Sequence, residues 1–205
     1  MSSPLFSSPL YIRDWDYYQL HGAFAGIDEA GRGALAGPVV IAAVVLDYRK
    51  PIEGINDSKL LKPKQREELY DLIVSNAVAY HITKISHAYI DRFNILQATL
   101  MGFSTSFRKL DMKVETCLID GNIVPPFLKG IGTAVIKGDQ LHAAIAAASI
   151  LAKVYRDRLM VAYDDLYPEF GFANHKGYGT AHHSKMIHCF GSCPIHRKSF
   201  HIPNR

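Results

Sequence analysis

Hydrophobic positions along the chain form two patterns, short apolar runs typical of strands and longer periodic stretches typical of helices. The first two apolar runs, 24–28 and 39–46, are rich in small and β-branched residues, and a glycine-rich bend at 31–37 separates them. We therefore expect these two runs to pair as a hairpin. Further strands are predicted over 78–85, 116–120 and 132–137, with a short one near Ile55.

Helices are predicted between and after these strands. Pro63 suits the first position of a helix that ends near Asn76. Residues 140–166 are rich in alanine and contain neither glycine nor proline, which predicts a long helix packed closely against a sheet. Two further helices are predicted over 90–110 and from near Thr180. The interleaved order indicates an α/β domain with a mixed sheet and a small basic helical end.

The length of 205 residues leaves room for one well-buried core. We divide the chain into a leader over 1–22, a main domain over 23–179 and a helical extension over 180–205. The formal net charge of +4 is compatible with a polyanionic partner but is too small to establish one. Nothing in the pattern requires more than a monomer.

The cysteine content and the apolar runs bear on the compartment. Cys117, Cys189 and Cys193 are an odd number, which predicts free thiols in a reducing environment. The longest apolar run, 38–46, is far shorter than the roughly 20 residues of a membrane helix. Acids and prolines interrupt the first residues where a signal peptide would lie. We therefore expect a cytoplasmic protein with no membrane partner.

Four acidic residues stand at the ends of otherwise apolar elements. Asp28 and Glu29 close the first strand, Asp120 closes the strand over 116–120, and Asp139 precedes the alanine-rich helix. Carboxylates that cluster at strand ends need cations between them, and hard divalent ions such as Mg²⁺ meet that need. The alternative is a set of ordinary turn acids, with Asp139 as a helix cap.

The segment Gly31-Arg32-Gly33 follows the acid pair directly. A dinucleotide-binding loop would lead into a helix, whereas this one leads into the second strand, so cofactor binding is the weaker interpretation. Glycines permit close approach of a ligand to the backbone, and Arg32 adds a cation beside the acids. The alternative is a tight hairpin with an exposed arginine.

The sequence gives less support to two other site chemistries. A zinc site would use Cys189, Cys193, His188 and His196, but no second paired motif with the usual spacing is present, which favours surface histidines and partly buried thiols. Hydrolysis through a serine nucleophile and a histidine base is also disfavoured, because the sequence contains no nucleophile-elbow motif such as G-x-S-x-G.

Several motifs occur together in one order. The chain contains Gly26-Ile27-Asp28-Glu29-Ala30-Gly31-Arg32-Gly33, then the runs Gly37-Pro38-Val39, Asp57-Ser58-Lys59, Leu118-Ile119-Asp120-Gly121, Lys137-Gly138-Asp139, 146–153 and His175-Lys176-Gly177-Tyr178-Gly179-Thr180. From about residue 25 to about residue 180 the sequence resembles the type 2 ribonucleases H, and bacterial ribonuclease HII in particular. The resemblance implies a ribonuclease H-like fold, with a mixed five-stranded sheet flanked by helices and a small helical C-terminal extension.

The resemblance also implies roles for individual residues. Asp28, Glu29, Asp120 and Asp139 match the family's catalytic acids, which hold two Mg²⁺ or Mn²⁺ ions. Gly31, Arg32 and Gly33 match the loop that contacts the 2′-hydroxyl, and Tyr178 matches a tyrosine that stacks on the neighbouring sugar. Lys59, Ser149 and Lys153 match motif positions to which we assign phosphate contact.

The implied activity is hydrolysis of the RNA strand of an RNA/DNA hybrid, or of duplex DNA at a single ribonucleotide, leaving 3′-hydroxyl and 5′-phosphate ends. Helical spacing also places Lys153, Arg156 and Met160 on one face with Ser149, and Lys176 beside Tyr178, which indicates a track for phosphates. A solvated face is the alternative for those lysines. The rival function is a nucleic-acid-binding module whose acids are merely structural.

Overall fold

The structure, a computed structural model, describes residue 6 and residues 8–202; the outer ends of the predicted leader and extension lie outside these residues. One five-stranded sheet forms the centre, in the order β3-β2-β1-β4-β5. Its strands are β1 Phe24–Ala30, β2 Val39–Val45, β3 Ala79–Ile85, β4 Thr116–Asp120 and β5 Gly132–Val135. The pairs β1–β2 and β2–β3 are antiparallel, whereas β1–β4 and β4–β5 are parallel. The predicted hairpin and the mixed five-stranded sheet are confirmed.

Six α-helices surround this sheet within the described residues. They are α1 Pro9–His21, α2 Pro63–Asn76, α3 His87–Arg108, α4 Ala143–Leu166, α5 Phe172–His175 and α6 Ala181–Phe190. The predicted helix starts at Pro63 and near Thr180 are confirmed. Thr180 is the N-cap residue of α6, and its hydroxyl accepts from the His183 N–H. None of the described helices combines the length and the apolar character that crossing a membrane requires.

Strand β2 is buried over its whole length because helices cover both faces of the sheet. Its even-numbered residues pack against the alanines of α4, and its odd-numbered residues pack against α3. At Gly26 in β1, an added Cβ would lie 2.1 Å from a backbone carbon of Ala144. The alanine-rich surface of α4 therefore permits contact between helix backbone and sheet.

Two boundaries differ from the sequence-based expectation. The predicted strand near Ile55 is wrong: Ile55 is buried, but it packs into the core from a loop without pairing. Helix α4 begins at Ala143 instead of residue 140, because Gly138–Gln140 forms a separate 3₁₀ turn that follows Lys137 in the left-handed region, with φ 55°.

No element is predicted over 1–22, yet helix α1 packs on the core through Asp14. This carboxylate is fully buried and accepts hydrogen bonds from the Tyr48 hydroxyl at 3.0 Å and from the Ala144 N–H at 2.8 Å. His142 Nδ1 lies 2.8 Å from its other oxygen. Since Ala144 is in the first turn of α4, the leader helix holds the start of the longest helix in place.

Candidate active site

The acids at the ends of β1 and β4 come together. The two strands are parallel and Ile27 pairs with Ile119, so the residues that follow, Asp28 and Asp120, occupy the same edge of the sheet. Asp28, Glu29 and Asp120 line one cavity of about 390 Å³. Because these three acids share a cavity, they do not behave as independent turn acids.

Asp139 lies beside this group. The N–H of Gly138 donates to Asp120 Oδ1 at 2.7 Å, which ties the 3₁₀ turn to the end of β4. The buried Asp139 carboxylate accepts from the Lys59 ammonium at 3.0 Å. It does not cap α4, whose N-cap residue is His142. The capping alternative for Asp139 is therefore wrong.

Burial and mutual repulsion disfavour the ionised form of these acids. Burial, followed by the charges of Glu29 and Asp120, raises the pKa of Asp28 well above its ordinary value. Burial also raises the pKa of Glu29 to about 7, although Arg32 opposes the shift. The pKa of Asp120 is raised by burial, which the N–H of Gly138 partly offsets. The cluster would therefore be stabilised by additional positive charge.

The predicted phosphate-contacting residues surround the acids. The Ser149 hydroxyl is buried on α4 and lies 2.8 Å from the Ser58 hydroxyl. The long side chain of Lys59 is 76% exposed, although its ammonium reaches Asp139. Lys153 bonds Asp157 at 2.8 Å on the same helix. Lys59 and Lys153 line the cavity with Ser149, so all three are close enough to meet a ligand that reaches the acids.

The glycine loop forms one wall of the cavity, and its two glycines differ. Gly31 has φ 96°, and an added Cβ there would lie 2.0 Å from Arg156 Nε. At Gly33 the backbone is outside the left-handed region, and an added Cβ would meet nothing within 4 Å. The fold therefore requires glycine at the first position but not at the second. Arg32 between them is half exposed, with Nη1 3.5 Å from Glu29 Oε1.

Tyr178 also lines this cavity. Its ring centroid lies 5.3 Å from Arg156 Cζ and 5.8 Å from Lys153 Nζ. The preceding Gly177 has φ 80°, and its carbonyl accepts from the N–H of Leu35 at 2.8 Å. The segment that carries the tyrosine is thus attached to the chain just beyond the glycine loop.

The predicted phosphate track is wrong for two of its residues, because Arg156 and Met160 are fully buried. Lys176 is partly exposed and its ammonium bonds the carbonyl of Ala173, so its contact with phosphate stays a prediction. Periodicity correctly groups Arg156 with Ser149, but it does not reveal that this side of α4 is covered by the rest of the protein. Arg197, also buried beneath the loop, was missed because nothing in its local sequence indicates a contact with residues about 165 positions away.

The zinc interpretation is not supported. Cys189 is exposed and His188 Nδ1 lies 2.7 Å from the Ser184 carbonyl. His196 is not a surface residue but is buried, with Nε2 3.0 Å from His183 Nε2 and Nδ1 3.1 Å from the Cys193 sulfur. Within the part of the chain that is described, no three histidine, cysteine or acidic side chains are grouped as a metal cage. The same holds for the four acids Asp28, Glu29, Asp120 and Asp139, which do not form a closed metal cage. Lys59 supplies part of the positive charge that neutralises them.

The comparisons with known proteins agree on one family. A family model described as Ribonuclease HII matches residues 25–202. Ribonuclease HII 1 of Methylibium petroleiphilum is 51% identical over 176 residues, which cover 86% of this chain and 88% of the relative. Ribonuclease HII of Coxiella burnetii is 52% identical over 176 residues, covering 86% and 87%. The crystal structure of ribonuclease H2 from Pyrococcus horikoshii OT3 is similar with a TM-score of 0.72 and 30% identity, covering 87% of this chain and 93% of that one. The chain belongs to the ribonuclease HII family.

Proposed function

We propose that this protein is an endonuclease that hydrolyses the RNA strand of RNA/DNA hybrids and cuts duplex DNA at embedded ribonucleotides, leaving 3′-hydroxyl and 5′-phosphate ends. One observation carries the proposal: three poorly neutralised carboxylates share a cavity with a glycine loop and a tyrosine. Family membership supports the same reaction class.

The acid cluster suits divalent cations. Its donors are carboxylate oxygens, the hard ligands that Mg²⁺ and Mn²⁺ prefer. In the proposed site, Asp28, Glu29 and Asp120 hold two such ions, and Asp139 completes the second position. When bound, the pair of ions supplies Lewis-acid chemistry that neutralises the phosphate and makes the attacking water more acidic.

The protein's own side chains orient this cluster. The N–H of Glu29 donates to Asp28 Oδ1 at 2.7 Å, and this bond orients the carboxylate. The Lys59 side chain is largely exposed, and its ammonium can bind a phosphate oxygen when a cation replaces it as the partner of Asp139. Lys153 contributes a second ammonium on the Tyr178 side of the cavity.

Recognition of the ribonucleotide is assigned to the loop and the tyrosine. The backbone of Gly31, Arg32 and Gly33 contacts the 2′-hydroxyl, which deoxyribose lacks, and the open space at Gly33 admits the ribose. Tyr178, which lines the same cavity, stacks on the next sugar. A strand without the hydroxyl leaves the loop's polar groups unpaired, and that loss discriminates against DNA.

The test is a cleavage assay on two labelled substrates, a DNA duplex with one ribonucleotide and a hybrid with an all-RNA strand. Cleavage is expected with Mg²⁺ or Mn²⁺ and not with chelator. Asp28→Asn should lower the rate at least about 100-fold because it removes a charge from the centre of the cluster. The matched control is Asp111→Asn, which changes an exposed acid outside the cavity. Tight binding of hybrid without any cleavage by the unaltered protein would instead favour a non-catalytic binding module.

The cysteines bear on the compartment in which the protein acts. The three free cysteines support the expectation of a reducing, cytoplasmic compartment. The proposed partner is the hybrid or the ribonucleotide-containing duplex itself, bound by a monomer.

A further inference from the structure

Two buried arginines lie beneath the glycine loop. Arg197 comes from the C-terminal segment and is 2% exposed. Its guanidinium donates from Nη2 to the Gly31 carbonyl at 2.7 Å, from Nη1 to the Arg32 carbonyl at 2.8 Å and from Nε to the Gly37 carbonyl at 3.0 Å. One planar side chain therefore binds the first two carbonyls of the loop and a third, that of Gly37, beyond the loop.

Arg156 makes a second set of contacts from helix α4. It donates from Nε to the Pro38 carbonyl at 3.0 Å and from Nη2 to the Ala36 carbonyl at 3.1 Å. Its remaining nitrogen, Nη1, donates to the Lys176 carbonyl at 2.9 Å, and the Tyr178 ring lies against the same guanidinium. This arginine therefore joins the chain beyond the loop to the segment that carries the tyrosine.

Backbone pairing reinforces the arrangement. The N–H of Arg197 donates to the Leu35 carbonyl at 2.8 Å, and the N–H of Gly37 donates to the Ile195 carbonyl at 2.9 Å. Ala36 and His196 form an antiparallel bridge between these bonds. The C-terminal segment is consequently part of the structure that supports the cavity.

Burying a guanidinium is costly, and apolar side chains usually fill a core at lower cost. Six hydrogen bonds to backbone carbonyls offset that cost, and only the rigid fork of arginine can hold several carbonyls in fixed directions. The burial of two such groups under one loop points to a requirement for its exact backbone orientation, beyond simple space filling.

The orientation has a direct consequence for the loop amides. In a planar trans peptide the N–H points opposite to the carbonyl, so holding the carbonyls of Gly31 and Arg32 turns the N–H groups of Arg32 and Gly33 away from Arg197. Within residues 8–202, neither N–H has a protein acceptor. Since both residues line the cavity, the two amides are donors for a ligand oxygen.

We propose that Arg197, together with Arg156, is a positioning residue that sets the glycine loop and Tyr178 in register and thereby enables cleavage at a single ribonucleotide. This inference rests on the proposed function. A single ribonucleotide offers one 2′-hydroxyl, which must meet the loop in one alignment. A continuous RNA strand offers a 2′-hydroxyl at every position and tolerates a displaced loop better.

The experiment compares two rates for each variant, on the duplex with one ribonucleotide and on the all-RNA hybrid. For Arg197→Ala, the ratio of the single-ribonucleotide rate to the hybrid rate should fall about tenfold or more, because small misplacements of a positioning group reduce rates steeply. Partial unfolding would lower both rates equally and leave the ratio unchanged. Lys198→Ala, which alters the exposed neighbour, is the matched control and should keep the ratio of the unaltered protein.

Rescue provides the second measurement. Added methylguanidinium should restore the ratio for Arg197→Ala by refilling the space under the loop, and it should not change the ratio for the unaltered protein. Should Arg197→Ala fail to fold, Arg197→Lys decides the matter, because one ammonium cannot hold three carbonyls and the ratio should still fall. An unchanged ratio in the folded variants would overturn this inference alone. Absence of cleavage by the unaltered protein would instead overturn the proposed function.

Discussion

The open space at Gly33 gives the sharpest mutational prediction. Gly33→Ala adds one methyl group where nothing lies within 4 Å and where the backbone is outside the left-handed region. The free energy of unfolding should therefore change by no more than about 0.5 kcal/mol. In the proposed complex, however, the ribose occupies that space, so the methyl group displaces the substrate by about the 1 Å that costs roughly 100-fold in rate.

Gly31→Ala provides the contrast at the other end of the loop. Its Cβ would lie 2.0 Å from Arg156 Nε, and the φ of 96° alone costs about 1–2 kcal/mol for a residue with a side chain. This variant should lose both stability and activity, whereas Gly33→Ala should lose activity alone.

The assay pairs urea unfolding with cleavage of the single-ribonucleotide duplex, using the same preparations. A Gly33→Ala protein that is as stable and as active as the unaltered one would refute the placement of the ribose against this loop. A Gly33→Ala protein that is strongly destabilised would refute the structural account of the loop itself.

Two further predictions concern stability. The pKa of Glu29 is raised from 4.5 to about 7, so its contribution to the stability of the metal-free protein is complete below pH 4.5 and is lost as the pH rises through about 7. Mg²⁺ binds the ionised form, so the stabilisation that Mg²⁺ gives should grow as the pH rises from 4.5 through about 7. At a hundredfold excess over Kd it should approach about 2.7 kcal/mol, or roughly 5–10 °C in Tm. A gain in Tm that is independent of pH would contradict this. Asp14→Ala should lower the free energy of unfolding by roughly 3 kcal/mol, because the N–H of Ala144 and the ring of His142 lose a buried acceptor. A change below about 0.5 kcal/mol in urea unfolding would contradict the role given to Asp14 in holding α4.

The parts of the fold and site that could be predicted from sequence are those with local signals. The hairpin follows from two apolar runs around a glycine bend, and Asp28 and Asp120 were identified because each ends an apolar strand. Parallel pairing of those strands then brings the two acids to one edge of the sheet.

The parts that could not be predicted depend on contacts between distant segments. Asp14 and Arg197 interact with residues about 130 and 165 positions away, and nothing in their immediate sequence indicates a buried partner. Helical spacing predicts Arg156 on a phosphate track because it cannot distinguish an outward face from one that other parts of the chain, here Ala36, Pro38 and Lys176, cover. The apolar side chain of Ile55 suggests a short strand, but this residue is buried because its loop packs on the core.

The most direct test of the central claim is an anomalous-scattering map from crystals soaked in Mn²⁺. Strong peaks are expected in contact with Asp28, Glu29 and Asp120, with Asp139 at the second ion, and these peaks should be lost in Asp28→Asn crystals. Mn²⁺ peaks located only away from these carboxylates would contradict it.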